Sequence, residues 1–203
     1  MDGIAWAGSA MIAARTRLEI ATQNLANVST DGFERIGARG FLTPAGVAVA
    51  RRPIPIHGGL RRTGRDFDLA IVGAGAFHVR DAAGKTVATR AGSFTLERDG
   101  TLQDPSGREL LAAGGRALRV PAGARIDERG AVVVGDSAVA TDGLALPAGS
   151  SVRAGFLESA GVDAIHEMVD VLCAERSFES AQKVVSAIDG TRQKAAADVA
   201  RFK

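Results

Sequence analysis

The chain has 203 residues, 46% hydrophobic and 24% charged, a balance that excludes an intrinsically disordered segment. Its 25 basic and 23 acidic residues leave a net charge of +2, so bulk charge gives no ground for a nucleic-acid partner. The single cysteine, Cys173, excludes an intramolecular disulfide and a cysteine zinc site, and no apolar run approaches the ~20 residues of a membrane-spanning helix.

Residues 2–28 carry an unbroken seven-residue repeat: Ile4, Met11, Leu18 and Leu25 in one row, Ala7, Ala14, Ala21 and Val28 in the other. Such a narrow apolar seam needs a partner helix. The repeat predicts a helix about 40 Å long. Met1-Asp2-Gly3 offers no basic leader, and Arg15, Arg17 and Glu19 interrupt any apolar core, so no cleaved signal peptide is expected. Asn24 and Asn27 lie three apart near the helix end and share a face. Two readings fit them: local helix-end polarity, or amides bonding across a helix joint or to an adjacent subunit. Ser29-Thr30-Asp31-Gly32 supplies the stop, with Gly32 suited to a left-handed conformation.

Residues 33–65 are rich in breakers (Pro44, Pro53, Pro55, Gly58, Gly59) and read as an extended connector, with short edge strands at Val47–Ala50 and Ile54–Ile56. The basic cluster Arg51, Arg52, Arg61, Arg62 and Arg65 lacks interleaved aromatics and reads as a solvated or subunit-facing surface. Residues 66–141 read as a compact antiparallel β domain. Phe67, Leu69 and Ile71 alternate with polar or small residues, Arg98-Asp99-Gly100 and Asp104-Pro105-Ser106-Gly107 are turns, and Ala131–Val134 and Ala138–Thr141 are further strands. Residues 142–161 are a second connector with one strand from Val152 to Leu157. Residues 162–203 form the second helix, with Asp163 as its N-cap and Gly190 as a weak point costing about 1 kcal/mol. Its seams are Val171, Phe178, Val185 and Val199, and Ala174, Ala181, Ile188, Ala195 and Phe202, with Arg192 the polar exception. The fold class is therefore α+β: two terminal helices forming a coiled-coil-like pair, and a central antiparallel domain.

Catalytic signals are weak. Gly73-Ala74-Gly75 is followed by His78 and a strand, where a phosphate loop needs a third glycine and a helix, so a strand-to-strand turn is expected. His57, His78 and His166 have no metal-ligand spacing, and no serine sits in a nucleophile elbow.

The run Asn24-Leu25-Ala26-Asn27-Val28-Ser29-Thr30-Asp31-Gly32-Phe33 resembles the N-terminal signature of the flagellar basal-body rod and hook proteins. Two more blocks agree, in family order. Asp68-Leu69-Ala70-Ile71, Gly73, Gly75, Phe77, Thr89-Arg90-Ala91-Gly92-Ser93-Phe94, Asp99-Gly100 and Leu102 look like the family's β domain. Gly155-Phe156-Leu157-Glu158-Ser159, Val162-Asp163, Glu167-Met168-Val169-Asp170 and Arg176-x-Phe178-Glu179 look like its C-terminal signature. The chain is shorter than typical proximal and distal rod proteins, and Ala76 stands where an aromatic usually follows the glycine; the opening and the Asn-Val-Ser-Thr run look more like the proximal protein.

The resemblance implies a structural subunit of the periplasmic rod, exported by the flagellar type III route and polymerised through its terminal helices. Its implied partners are copies of itself, other rod and hook proteins and the export apparatus. No cofactor, small-molecule ligand, nucleic acid, membrane insertion or enzymatic activity is expected. The candidate assembly residues are Ile4, Met11, Leu18, Asn24, Leu25, Asn27, Val171, Phe178, Val185 and Ile188. The competing reading is an oligomeric enzymatic or ligand-binding β domain with coiled-coil arms, which requires a concave pocket with convergent polar groups and perturbed acids. A surface adhesin with helical arms is the third, disfavoured by the missing leader.

Overall fold

The computed structural model describes residues 3–135, 137–138 and 143–201. The predicted helix position at Asp2, the strand residues at 139–141, the side chain of Val199 and Phe202 lie outside the described residues. The chain divides into two compact units, one of Met1–Val28, Arg35–Pro55 and Val162–Lys203, the other of Ser29–Glu34 and Ile56–Gly161.

The first unit holds both helices and one hairpin. Helix α1 (Gly3–Ala26) is alanine-rich, free of proline and buries Ala7, Ala13, Ala14, Ile20, Ala21 and Asn24. Small residues on that face let neighbouring backbone come close. The hairpin pairs β1 (Ile36–Thr43) with β2 (Gly46–Pro53) over eight residues each. Sequence reading expects an extended connector here. The expected edge strand at Val47–Ala50 lies inside β2, but the segment forms the longest strand pair among the described residues, and Ile54–Ile56 is not a strand. The prolines are the reason for the misreading. Pro44 sits in the turn and Pro53 at the strand end, places where the ladder loses little by lacking an N–H. The turn closes on α1: Gly46 adopts φ 129°, and a Cβ there would overlap the Ser9 side chain. Helix α2 (Ala164–Arg201) runs 38 residues, continuous through Gly190.

The second unit is antiparallel throughout. Strand β3 (Leu60–Arg62) pairs with β14 (Phe156–Glu158), and β4 (Leu69–Val72) with β13 (Ser151–Ala154). A five-stranded sheet has the order β6-β5-β9-β8-β7, from β5 (Phe77–Arg80), β6 (Thr86–Thr89), β7 (Thr95–Leu96), β8 (Leu102–Gln103) and β9 (Glu109–Leu110). A three-stranded sheet holds β10 (Ala124–Ile126), β11 (Val132–Val134) and β12 (Ser137–Ala138). Both predicted turns occur, at Asp99-Gly100 between β7 and β8 and at 104–107 between β8 and β9. Asp99 accepts from the Thr101 hydroxyl at 2.7 Å and the Thr101 N–H at 3.0 Å, which holds its pKa below the usual carboxylate value.

Leu69, Phe77, Val79, Phe94, Leu102, Leu110, Leu118, Val120, Val132 and Val152 make one core, with Phe77 and Phe94 edge to face at 5.4 Å. Two details depart from simple alternation. Ala70 is as buried as Leu69 and Ile71, so β4 is covered on both faces. The single strand predicted from Val152 to Leu157 is two, split at Gly155 (φ 77°), where the chain leaves β4 for β3. The 142–161 region thus supplies two strands where one is expected.

Candidate assembly site

The helices of the first unit run antiparallel along one another. At one end Asn24 of α1 meets Glu167 of α2. At the other, a Cβ built on Gly3 would lie 3.6 Å from Ile188 Cδ1. The two contacts are 21 residues apart on each helix, from 3 to 24 and from 167 to 188, which is three heptads. On α2 the least exposed positions recur at Glu167, Val171, Ala174, Phe178, Ala181, Val185 and Ile188, the seam read from the sequence extended one step upstream but ending at Ile188, since Arg192 and Ala195 are exposed. On α1 the two rows separate. Ala7, Ala14 and Ala21 are buried, while Ile4, Met11, Leu18 and Leu25 are half-buried. Val171, Phe178, Val185 and Ile188 are likewise half-buried. The large seam residues therefore keep surface that one chain does not cover.

A polar knot fixes the end of the pair. Asn24 is fully buried, donating Nδ2 to Ile36 O at 2.8 Å and to Glu167 Oε2 at 3.1 Å while its Oδ1 accepts Ile36 N–H at 2.9 Å. One amide thus ties α1 to the hairpin and to α2. Asn27 Nδ2 donates to Gln23 O at 2.8 Å, one turn back on its own helix. Arg35 then closes on α2, with Nε 2.5 Å from Glu167 Oε1 and Nη2 3.0 Å from Asp170 Oδ2. Sequence reasoning missed Glu167 and Arg35 as partners. The available signal was an acid at a seam position, seven before Ala174, where an apolar residue is expected. Glu167→Ala should cost about 1–3 kcal/mol in chemical unfolding, since Arg35 and Asn24 lose their shared acceptor; Glu167→Gln, which keeps one acceptor, should cost less.

Asp163 caps α2 as predicted, accepting the Ile165 N–H at 2.9 Å and the His166 N–H at 3.4 Å. The His166 and Ile165 backbone donors lower its pKa. A depressed carboxylate stabilises the fold above its unfolded pKa, and that contribution fades as pH falls through the folded one. Amide protection at the start of α2 should therefore drop on acidification in the wild type and stay flatter in Asp163→Asn.

The second unit has its own buried ion pair. Arg90 Nε donates to Glu158 Oε2 at 2.7 Å, both side chains nearly inaccessible, and His57 Nδ1 lies 3.2 Å from Glu158 Oε1. Arg90 also donates to the carbonyls of Ile71, Gly73 and Gly75. This accounts for the Gly73-Ala74-Gly75 run: it is a turn from β4 to β5 whose carbonyls point at a guanidinium, the opposite polarity to a phosphate cradle. The basic residues read as one cluster belong to different units, with Arg51 paired to Glu19 and Arg61 to Asp31. Among the described residues no group of three His, Cys, Asp or Glu side chains is placed to hold a metal, and no helix is long and apolar enough to cross a membrane.

Comparison with known proteins follows the same three blocks. Residues 4–33 match the description "Flagella basal body rod protein", 70–143 "Flagellar hook protein FlgE/F/G D1 domain" and 153–198 "Flagellar basal body rod FlgEFG protein C-terminal". This chain belongs to the flagellar basal-body rod and hook family. Flagellar basal-body rod protein FlgG of Agrobacterium fabrum is 26% identical over 93% of this chain and 96% of its own length. FlgG of Bacillus subtilis is 28% identical over 86% of this chain and 90% of its own. Flagellar hook protein FlgE of Brucella abortus is 34% identical over 73% of this chain but only 38% of its own length. In this rod-family chain the N-terminal signature places Asn24 in the polar knot, the C-terminal signature places Glu167 and Asp170 opposite it, and the β signature places Arg90 on Glu158.

Proposed function

We propose that this chain is a structural subunit of the flagellar basal-body rod, polymerising through α1 and α2 with copies of itself and with other rod and hook proteins into the periplasmic drive shaft. The observation that carries the reading is the pair of matched three-heptad seams. Their alanine row is buried inside one chain, while Ile4, Met11, Leu18, Leu25, Val171, Phe178 and Val185 stay half-exposed. A coiled-coil-like pair in that state is complete enough to fold and incomplete enough to need neighbours. Rod proteins act in the basal body, and their names, shared by full-length relatives, support the placement. Passage through the flagellar export apparatus belongs to the same reading.

The ligand-binding alternative asked for perturbed acids converging on a pocket. Among the described residues the two lowered carboxylates, Asp99 and Asp163, are exposed turn and cap residues instead. Deleting the gene and imaging basal bodies tests the proposal. Rods should stop short and hooks be lost, with restoration by the intact gene. Complete rods and hooks in the deletion strain would contradict it.

A further inference from the structure

The outer side of α2 carries a second apolar stripe that the helix pair leaves bare. Ile165, Met168, Val169 and Leu172 are 75%, 53%, 52% and 56% exposed. Their spacing puts them on one face, turned away from the Glu167–Val171–Ala174 seam. Exposed apolar residues grouped in this way mark an interface. A second bare apolar feature is the hairpin end, where Phe41 and Leu42 are 48% and 75% exposed. Within one chain the two features are far apart. The hairpin end is tied to Ser9 through Val47 N–H at 3.0 Å, the stripe begins beside the Asn24–Glu167 contact, and residues 9 and 24 of α1 are about 22 Å apart along the axis. The hairpin end therefore lies about 15–22 Å along the helix axis from the apolar part of its own stripe.

Charge matches as well. The hairpin carries Arg39, Arg51 and Arg52 and no acid. The stripe continues into Glu175 and Glu179, both exposed. Arg39, Glu175 and Glu179 make no ion pair among the described residues.

We propose that the hairpin end of one copy, Phe41 and Leu42 with Arg39, docks on the outer stripe of α2 in the next copy, Ile165 to Leu172 with Glu175 and Glu179. The inference rests on the self-assembly reading and deepens it by naming the surfaces. Two different patches at opposite ends of one unit make a head-to-tail contact. Such a contact repeats along a polymer without pairing off into closed dimers.

The test uses basal bodies purified from cells carrying the full-length chain. In a Cys173→Ala background, Leu42→Cys combined with Val169→Cys should give a ladder of covalent multimers on mild oxidation, and neither cysteine alone should. In parallel, Arg39→Glu should lower incorporation about tenfold or more through like-charge contact, and Glu179→Arg in the same chain should restore it. Wild-type chain present in basal bodies, with no ladder from an incorporated double-cysteine variant, overturns the docking while leaving the assembly reading intact. Loss on Arg39→Glu without recovery on adding Glu179→Arg also overturns it. Absence of the wild-type chain from basal bodies overturns the assembly reading itself.

Discussion

Arg90→Ala should destabilise the β unit by about 3–5 kcal/mol, read as a shift of the urea midpoint at unchanged slope. Arg90 is 4% exposed and satisfies four acceptors at once: Glu158 Oε2, Ile71 O, Gly73 O and Gly75 O. Truncation leaves the Glu158 carboxylate buried, with His57 Nδ1 at 3.2 Å as its remaining side-chain partner. It also strips the Ile71 carbonyl in β4 and the Gly73 and Gly75 carbonyls of their donor, the last two in a turn whose glycines, at φ 99° and 109°, have no regular ladder to fall back on. Arg90→Lys should recover only part of the loss, because one ammonium cannot reproduce the planar fork. A midpoint shift equivalent to under 1 kcal/mol for Arg90→Ala would mean that the turn and Glu158 find water instead.

The terminal helices were legible because a seven-residue repeat is a long-range regularity that few accidents produce. Val171, Ala174, Phe178, Ala181, Val185 and Ile188 occupy the inward face of α2 as the spacing required. The turns at Asp99-Gly100 and 104–107 were legible for a local reason, the backbone preferences of Gly, Asp and Pro. The hairpin at 36–53 was not. Its strands are rich in Gly, Ala and Pro and acquire their register from packing on α1, with Ser9 at one end and Asn24 at the other. The polar knots were not legible either. Arg90 and Glu158 are 68 positions apart, Asn24 and Glu167 143, and no spacing rule connects such pairs. Motif resemblance marked these residues as parts of signatures without saying what they bond. The Asn24–Asn27 pair shows the same limit: one face was correctly read, yet Asn24 spans three elements while Asn27 bonds back to its own helix.

Phe178→Asp should remove the chain from the rod while leaving the β unit folded. Phe178 lies mid-seam on α2, half-buried in one chain, between Ala174 and Ala181. Full burial of such a side chain is worth roughly 1.5–3 kcal/mol, so completing the burial of a half-covered Phe178 in the polymer is worth about half of that per copy, which corresponds to about tenfold or somewhat less in incorporation. A carboxylate there adds the cost of a buried, unpaired charge. Phe178→Leu, close in volume and apolar, should incorporate nearly normally. Quantifying the two variants and wild type in purified basal bodies, alongside circular dichroism of the soluble subunits, tests the central claim. The account predicts loss of Phe178→Asp from basal bodies with the β unit retained; wild-type incorporation of that variant would contradict it.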